Sequence, residues 1–269
     1  MPRIGTIRPT RPADIEISDL GKRYGRAGSG IFAMDGVDLS VPAGEFVCVV
    51  GASGCGKSTL LRILAGFEPA TKGTVTVAGE AVSKPDPERG VVFQDYGLFP
   101  WLSVSENIAY GPRQARLPRD VVRERTSRFL EAVGLTRFEA KFPHELSGGM
   151  QQRVAIARVL ANDPSVMLMD EPFGALDALT RSSLQAELSR IHRETGTTVV
   201  FVTHSIEEAV FLADRVVVMA GGASHGVPGH IREIVPISLG TDRDVTSPEF
   251  NELKRHISAL VHQGVEVAA

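Results

Sequence analysis

The sequence predicts an α/β fold: a mainly parallel sheet with helices on its faces, interrupted by a helical insertion. Three observations carry this. The run EFVCVV (45–50) is apolar on both parities, as a strand covered on both faces is, and it leads directly into a Gly-rich turn and a helix. Two more buried-strand patterns, SVMLMDE (165–171) and TTVVFVTH (197–204), are joined by the polar helical stretch LTRSSLQAELSRIHRETG, and strand, crossover helix, strand implies parallel pairing. Between the two groups, from about 102 to 162, the periodicity is helical.

Taken in order, the first 13 residues hold three arginines, three prolines and no acid, the composition of a flexible tail. Short β-type runs follow: IEISDL (15–20), VDLSV (37–41), EFVCVV, TVTVAG (74–79) and GVVFQ (90–94), separated by Gly and Pro turns. In the helix after EFVCVV, Leu60, Leu61, Ile63 and Leu64 fall on one face. The insertion contains SVSENIAYG, DVVRERTSRFLEAVGL and the helix that opens at LSGGMQQR. After the two later strands come RVVVM (215–219), a Gly-rich stretch that reads as a hairpin plus loop, and the amphipathic helix SPEFNELKRHISALVHQ (247–263). The expected organisation is a tail at 1–13, a core of 14–94 and 163–220, a helical subdomain at 95–162 and a C-terminal hairpin and helix at 221–269.

At 269 residues and 43% hydrophobic composition the chain can bury a sizeable core, and a formal charge of −3 gives no basic excess. No nucleic-acid partner is expected on that ground. No apolar run reaches the roughly 18 residues that cross a bilayer, and the start lacks the apolar centre of a secretory signal, so the chain is expected to stay in the cytosol. Cys48 and Cys55 are too few and too local for a disulfide framework or a zinc site, and both are expected to be reduced thiols.

The stretch GASGCGKS at 51–58 fits G-x-x-x-x-G-K-[ST] between a buried strand and a helix, the context that gives the motif meaning. Gly51, Gly54 and Gly56 allow backbone N–H groups to wrap a β-phosphate, Lys57 reaches β- and γ-oxygens, and the Ser58 hydroxyl is a Mg²⁺ ligand. Ala52, Ser53, Cys55 and Thr59 complete the predicted nucleotide-binding stretch. Asp170 and Glu171 end a buried strand at the edge where open α/β sheets hold ligands. Asp170 is the Mg²⁺-side acid, and Glu171 is placed to orient or deprotonate an attacking water. His204 closes TTVVFVTH at the same edge and is a candidate γ-phosphate contact. Gln94 closes GVVFQ and offers an amide oxygen to Mg²⁺ or its water.

GASGCGKS, Gln94, LSGGM, MLMDE, GALD and TH occur in that order, and together they resemble the nucleotide-binding subunit of an ATP-binding-cassette (ABC) transporter over about residues 14–220. The resemblance implies a P-loop core with an antiparallel β subdomain and an inserted helical subdomain, ATP and Mg²⁺ as ligands, and Tyr24 stacked on adenine. It implies a head-to-tail dimer in which Ser147, Gly148 and Gly149 of one subunit grip the γ-phosphate on the other, with Asp177 linking the two sites. Met150 stands where the family pattern usually has Gln, which removes an amide at that position. The stretches VVFQDYGLFPWLSVSENIAYG, DEPFGALDALTR and THSIEEAVFLADRVVVM resemble the branch serving nitrate, sulfonate and taurine importers. That branch implies separate transmembrane permease subunits, a substrate-binding protein acting through the complex, and a place on the cytoplasmic face of the membrane. Leu98, Phe99 and Trp101 in YGLFPWL are read as a permease docking patch, with packing inside the helical insertion as the alternative. A non-transport ABC ATPase and a separate-subunit exporter are the rival functions. An ordinary P-loop kinase or GTPase leaves LSGGMQQR unexplained.

Overall fold

The computed structural model describes residues 12–25, 31–174, 176–222 and 226–262. The expected tail falls almost wholly outside that range, as do Ala175 of GALD and Gln263 of the final helix. In chain order the elements begin with β1 (Ile15–Tyr24), β2 (Ile31–Val41), β3 (Phe46–Gly51), α1 (Lys57–Ala65), β4 (Lys72–Val77), β5 (Glu80–Ala81) and β6 (Arg89–Val92). Next come the helices α2 (Val104–Gln114), α3 (Arg119–Ala132) and α4 (Gly148–Leu160). The rest are β7 (Val166–Asp170), α5 (Ala178–Thr195), β8 (Thr198–Val202), α6 (Ile206–Leu212), β9 (Arg215–Gly222), β10 (Val227–Pro236) and α7 (Pro248–His262). They pack as two compact units.

The first unit joins Ala13–Asp86, Leu168–Glu171 and Thr198–Ala269. Its strands run β5-β4-β1-β2-β10-β9-β3-β8, followed by the distal part of β7. β3 is parallel to β8, with Cys48 opposite Phe201, and parallel to β9, with Val49 opposite Val217. Every residue of β3 and of β8 is buried, which is what two covered faces require. β1, β2, β4 and β5 pair antiparallel. On α1 the predicted apolar face of Leu60, Leu61, Ile63 and Leu64 is buried. The C-terminal hairpin begins earlier than expected: its first strand is β9, which contains RVVVM and pairs antiparallel with β10. One strand serves both the parallel core and the hairpin because Arg215–Met219 has two paired edges.

The second unit joins Pro87–Met167 and Pro172–Thr197. Here β6 lies at the start of β7, Ser165 donates to the Glu88 carbonyl at 3.3 Å, and α2, α3, α4 and α5 supply the helical pattern read from the sequence. Ser103 caps α2 in a reciprocal box: its hydroxyl accepts from Glu106 N–H at 3.3 Å, and Glu106 accepts from Ser103 N–H at 2.9 Å. Such a cap contributes about 1 kcal/mol.

Candidate functional site

The first unit carries the phosphate loop. Gly51 must lack a side chain, since a Cβ there would lie 2.3 Å from the Met219 carbonyl oxygen. Gly56 has φ +101° at the N-cap of α1 and offers no side-chain cap, so the first N–H groups of the helix remain available to an anion. Lys57 is buried, and its ammonium donates to the carbonyls of Gly51 at 2.9 Å and Ala52 at 3.0 Å. Ser58 Oγ donates to Asp170 Oδ1 at 3.2 Å, which brings a hydroxyl and a carboxylate from distant segments together. These are hard oxygen donors, the set that suits Mg²⁺ bound through one or two protein oxygens and substrate phosphates.

At the same edge, His204 Nε2 lies 2.5 Å from Glu171 Oε1. Neither residue belongs to its strand: β7 ends at Asp170 and β8 at Val202, so the two side chains project from turns. Glu171 adopts φ +47°, a left-handed conformation that a non-glycine residue holds only when its surroundings impose it. One such constraint is visible, because Glu171 N–H donates to the Val202 carbonyl at 2.9 Å.

Tyr24 ends β1 with its ring half exposed. Its hydroxyl donates to Glu68 and lies 3.5 Å from Thr59 Oγ1, while the Lys22 ammonium sits 5.1 Å from the ring centroid. Burial and the Glu68 carboxylate push the phenol above its usual pKa. Ala52, Ser53, Gly54 and Cys55 lie in the turn between β3 and α1. Cys48 and Cys55 are free, buried thiols, and burial pushes both upward in pKa.

The second unit holds the remaining candidates. Gln94 is exposed two residues beyond β6, rather than closing the strand. Ser147 caps α4, its hydroxyl accepting from Met150 N–H at 3.4 Å. Asp177 caps α5, its Oδ1 accepting from Thr180 N–H at 3.0 Å, and these bonds from Thr180 hold the carboxyl below its usual pKa. The two caps adjoin: a Cβ at Gly149 would come within 2.3 Å of Thr180 Cγ2. The first turns of α4 and α5 are therefore packed against each other.

Sequence reasoning missed the residues that hold the 96–102 stretch. Arg158 donates to the carbonyls of Gly97 at 2.6 Å and Tyr96 at 3.1 Å, and its guanidinium lies 5.4 Å from the Phe99 ring centroid. Asn107, fully buried, accepts from Phe99 N–H at 2.9 Å and donates to the carbonyls of Phe99, Leu102 and Ser103. Phe99 packs against Tyr110 and Trp101, with ring centroids 4.4 and 5.7 Å away, whereas Trp101 is 71% exposed. A polar Asn on the inner side of a capped helix was the available signal.

The family model described as ABC transporter matches residues 34–174, a span from β2 through the phosphate loop and α4 to Gly174. The chain belongs to the ABC transporter family. It is 42% identical over 250 residues to the aliphatic sulfonates import ATP-binding protein SsuB of Bacillus thuringiensis subsp. konkukian, covering 93% of this chain and 96% of that protein. It is 44% identical over 255 residues to the taurine import ATP-binding protein TauB of Roseobacter denitrificans, covering 92% and 93%. Among solved structures it resembles a dimeric, post-hydrolysis ATP-binding cassette bound to ADP and Pi, with TM-score 0.71, 32% identity and coverage of 84% of this chain and all of that one. This ABC subunit is an ATPase with the P-loop fold, its hydrolysis coupled to transport, and its kinship lies with the importer branch. Among the described residues no helix is long and apolar enough to cross a membrane.

Proposed function

We propose that the chain energises an importer of sulfonate-, taurine- or nitrate-like anions as one half of a head-to-tail pair with two composite ATP sites. The observation that carries the catalytic reading is the contact of 2.5 Å between His204 Nε2 and Glu171 Oε1, at the strand edge where Ser58 meets Asp170. In this reading Gly51 to Thr59 bind the triphosphate and Lys57 neutralises charge on the β- and γ-oxygens. Tyr24 stacks on adenine. Ser58 and Asp170 would hold Mg²⁺, which would supply charge neutralisation at the transferring phosphoryl group. Glu171 accepts a proton from the attacking water at a carboxylate oxygen, and His204 holds that carboxylate and touches the γ-phosphate.

Ser147, with the backbone of Gly148 and Gly149, grips the γ-phosphate bound by the partner, and Asp177 links the sites. The capped helix ends support this, because the Ser147 hydroxyl accepts from Met150 and keeps its proton for donation. The exposed Trp101, braced through Phe99, supports docking of the 96–102 stretch on transmembrane permease subunits at the cytoplasmic face of the membrane. Those subunits receive solute from a substrate-binding protein. The names of SsuB and TauB support an anionic solute.

The trans arrangement is tested by mixing Ser147→Arg with Lys57→Ala subunits. One composite site should stay whole in the heterodimer and the other should be lost, giving one ATP bound per pair. Equal binding at both sites refutes it.

A further inference from the structure

Glu208 on α6 is a carboxylate only 5% exposed, and the catalytic reading above does not use it. Its Oε2 accepts from Thr203 Oγ1 at 2.5 Å, and the same Oγ1 accepts from Ser205 N–H at 3.0 Å. Ser205 Oγ in turn accepts from Glu208 N–H at 3.3 Å, capping α6. Thr203 N–H donates to the Val49 carbonyl at 3.2 Å, on the strand that runs into the phosphate loop. The residue between the two anchored ones is His204. Both of its chain neighbours are thus tied to one buried side chain and its helix, while the imidazole reaches out to Glu171 with half of its surface exposed.

We infer that Glu208 is a positioning residue for ATP hydrolysis: it locks the turn at 203–205 so that His204 stays aimed at Glu171. The inference rests on the roles assigned to His204 and Glu171. A carboxylate in this place costs desolvation that an apolar residue does not, so an aliphatic side chain would serve packing better. The Glu208 carboxyl oxygen supplies an acceptor for the Thr203 proton, in a place where water does not compete for it. Fixing that hydroxyl rotor directs its lone pair at Ser205 N–H, which sets the backbone on the far side of His204. A half-exposed imidazole is only partly held by packing, so its aim depends on the backbone that carries it.

The test measures steady-state ATP turnover by the full-length protein across ATP concentrations. Thr203→Val and Glu208→Ala should each lower kcat about tenfold or more while KM for ATP stays within about twofold, the pattern of a group that acts in the transition state. Glu208→Gln and Thr203→Ser keep the hydrogen bond and should retain at least about half of kcat. The double variant Thr203→Val/Glu208→Ala should be no slower than the worse single, because the two act as one unit. Should Glu208→Ala fail to fold, Thr203→Val decides. Turnover within about twofold of the parent for both variants overturns the positioning role, as does a double variant whose losses multiply. His204→Ala separates the two claims: if it turns over normally, the catalytic reading fails first. If it is inactive while Thr203→Val and Glu208→Ala are unimpaired, only the positioning role fails.

Discussion

Replacing Asn107 by Ala should destabilise the protein by about 3 kcal/mol and loosen the stretch before α2. The side chain makes four hydrogen bonds, but they are not equal losses. The Phe99 carbonyl also accepts from Leu102 N–H at 3.1 Å, and the Ser103 carbonyl also accepts from Asn107 N–H at 2.8 Å, so both keep a partner. Phe99 N–H and the Leu102 carbonyl lose the bonds from Asn107, at about 1–3 kcal/mol for each group left unsatisfied. For a protein of this size each kcal/mol corresponds to roughly 2–4 °C, so the melting temperature should fall by about 6–12 °C. The assay is thermal unfolding with amide hydrogen exchange. The Phe99 amide, which donates to Asn107 Oδ1, should lose protection, while amides of β3 should not. A variant that melts within about 1 °C of the parent and keeps Phe99 protected refutes the argument that Asn107 anchors this stretch.

Glu171→Gln should bind ATP with near-parental affinity, lose turnover by 10²-fold or more and accumulate as an ATP-bound dimer, read by size-exclusion chromatography with and without ATP. Normal turnover in that variant removes the base role. Phe99→Asp with Trp101→Ser should leave phosphate-loop ATP binding intact and abolish transport by the assembled complex. If folding and transport both survive, the patch does not dock the permease. Because burial pushes the Cys55 thiol upward, native protein at pH 7 should label with iodoacetamide only slowly, and both thiols should label in denaturant. Rapid native labelling of Cys55 would show a reactive thiolate instead.

The legible parts of this chain are those whose meaning is local. The phosphate loop announces itself because the glycines, Lys57 and Ser58 must be contiguous to surround one phosphate chain. The placing of Asp170 beside Ser58 and of Glu171 beside His204 was foreshadowed because two acids at the end of an apolar strand do nothing for packing. What stayed hidden depends on long-range contacts or on backbone geometry. Glu208 reads as an ordinary acid in the first turn of a helix, and only the folded chain shows it buried against Thr203. Arg158 looks like a solvated arginine on α4, yet it binds carbonyls 61 and 62 residues earlier. The left-handed backbone at Glu171 has no sequence signature, since glycine, the usual indicator, is absent. The strand ends at Val92 and Val202 were displaced by two residues because Gln94 and His204 leave their ladders at turns.

The contact between Gly149 and Thr180 bears on how such a sequence can drift. A methyl group at 149 would overlap Thr180 Cγ2, and a β-branched side chain has little rotamer freedom with which to retreat. Replacing Thr180 by Ser removes the obstructing atom and keeps the backbone N–H that Asp177 binds. In related chains, Ala or Ser at the position of Gly149 should therefore co-occur with Ser, Ala or Gly at the position of Thr180. The pair constitutes a two-site constraint on substitution that neither segment imposes alone.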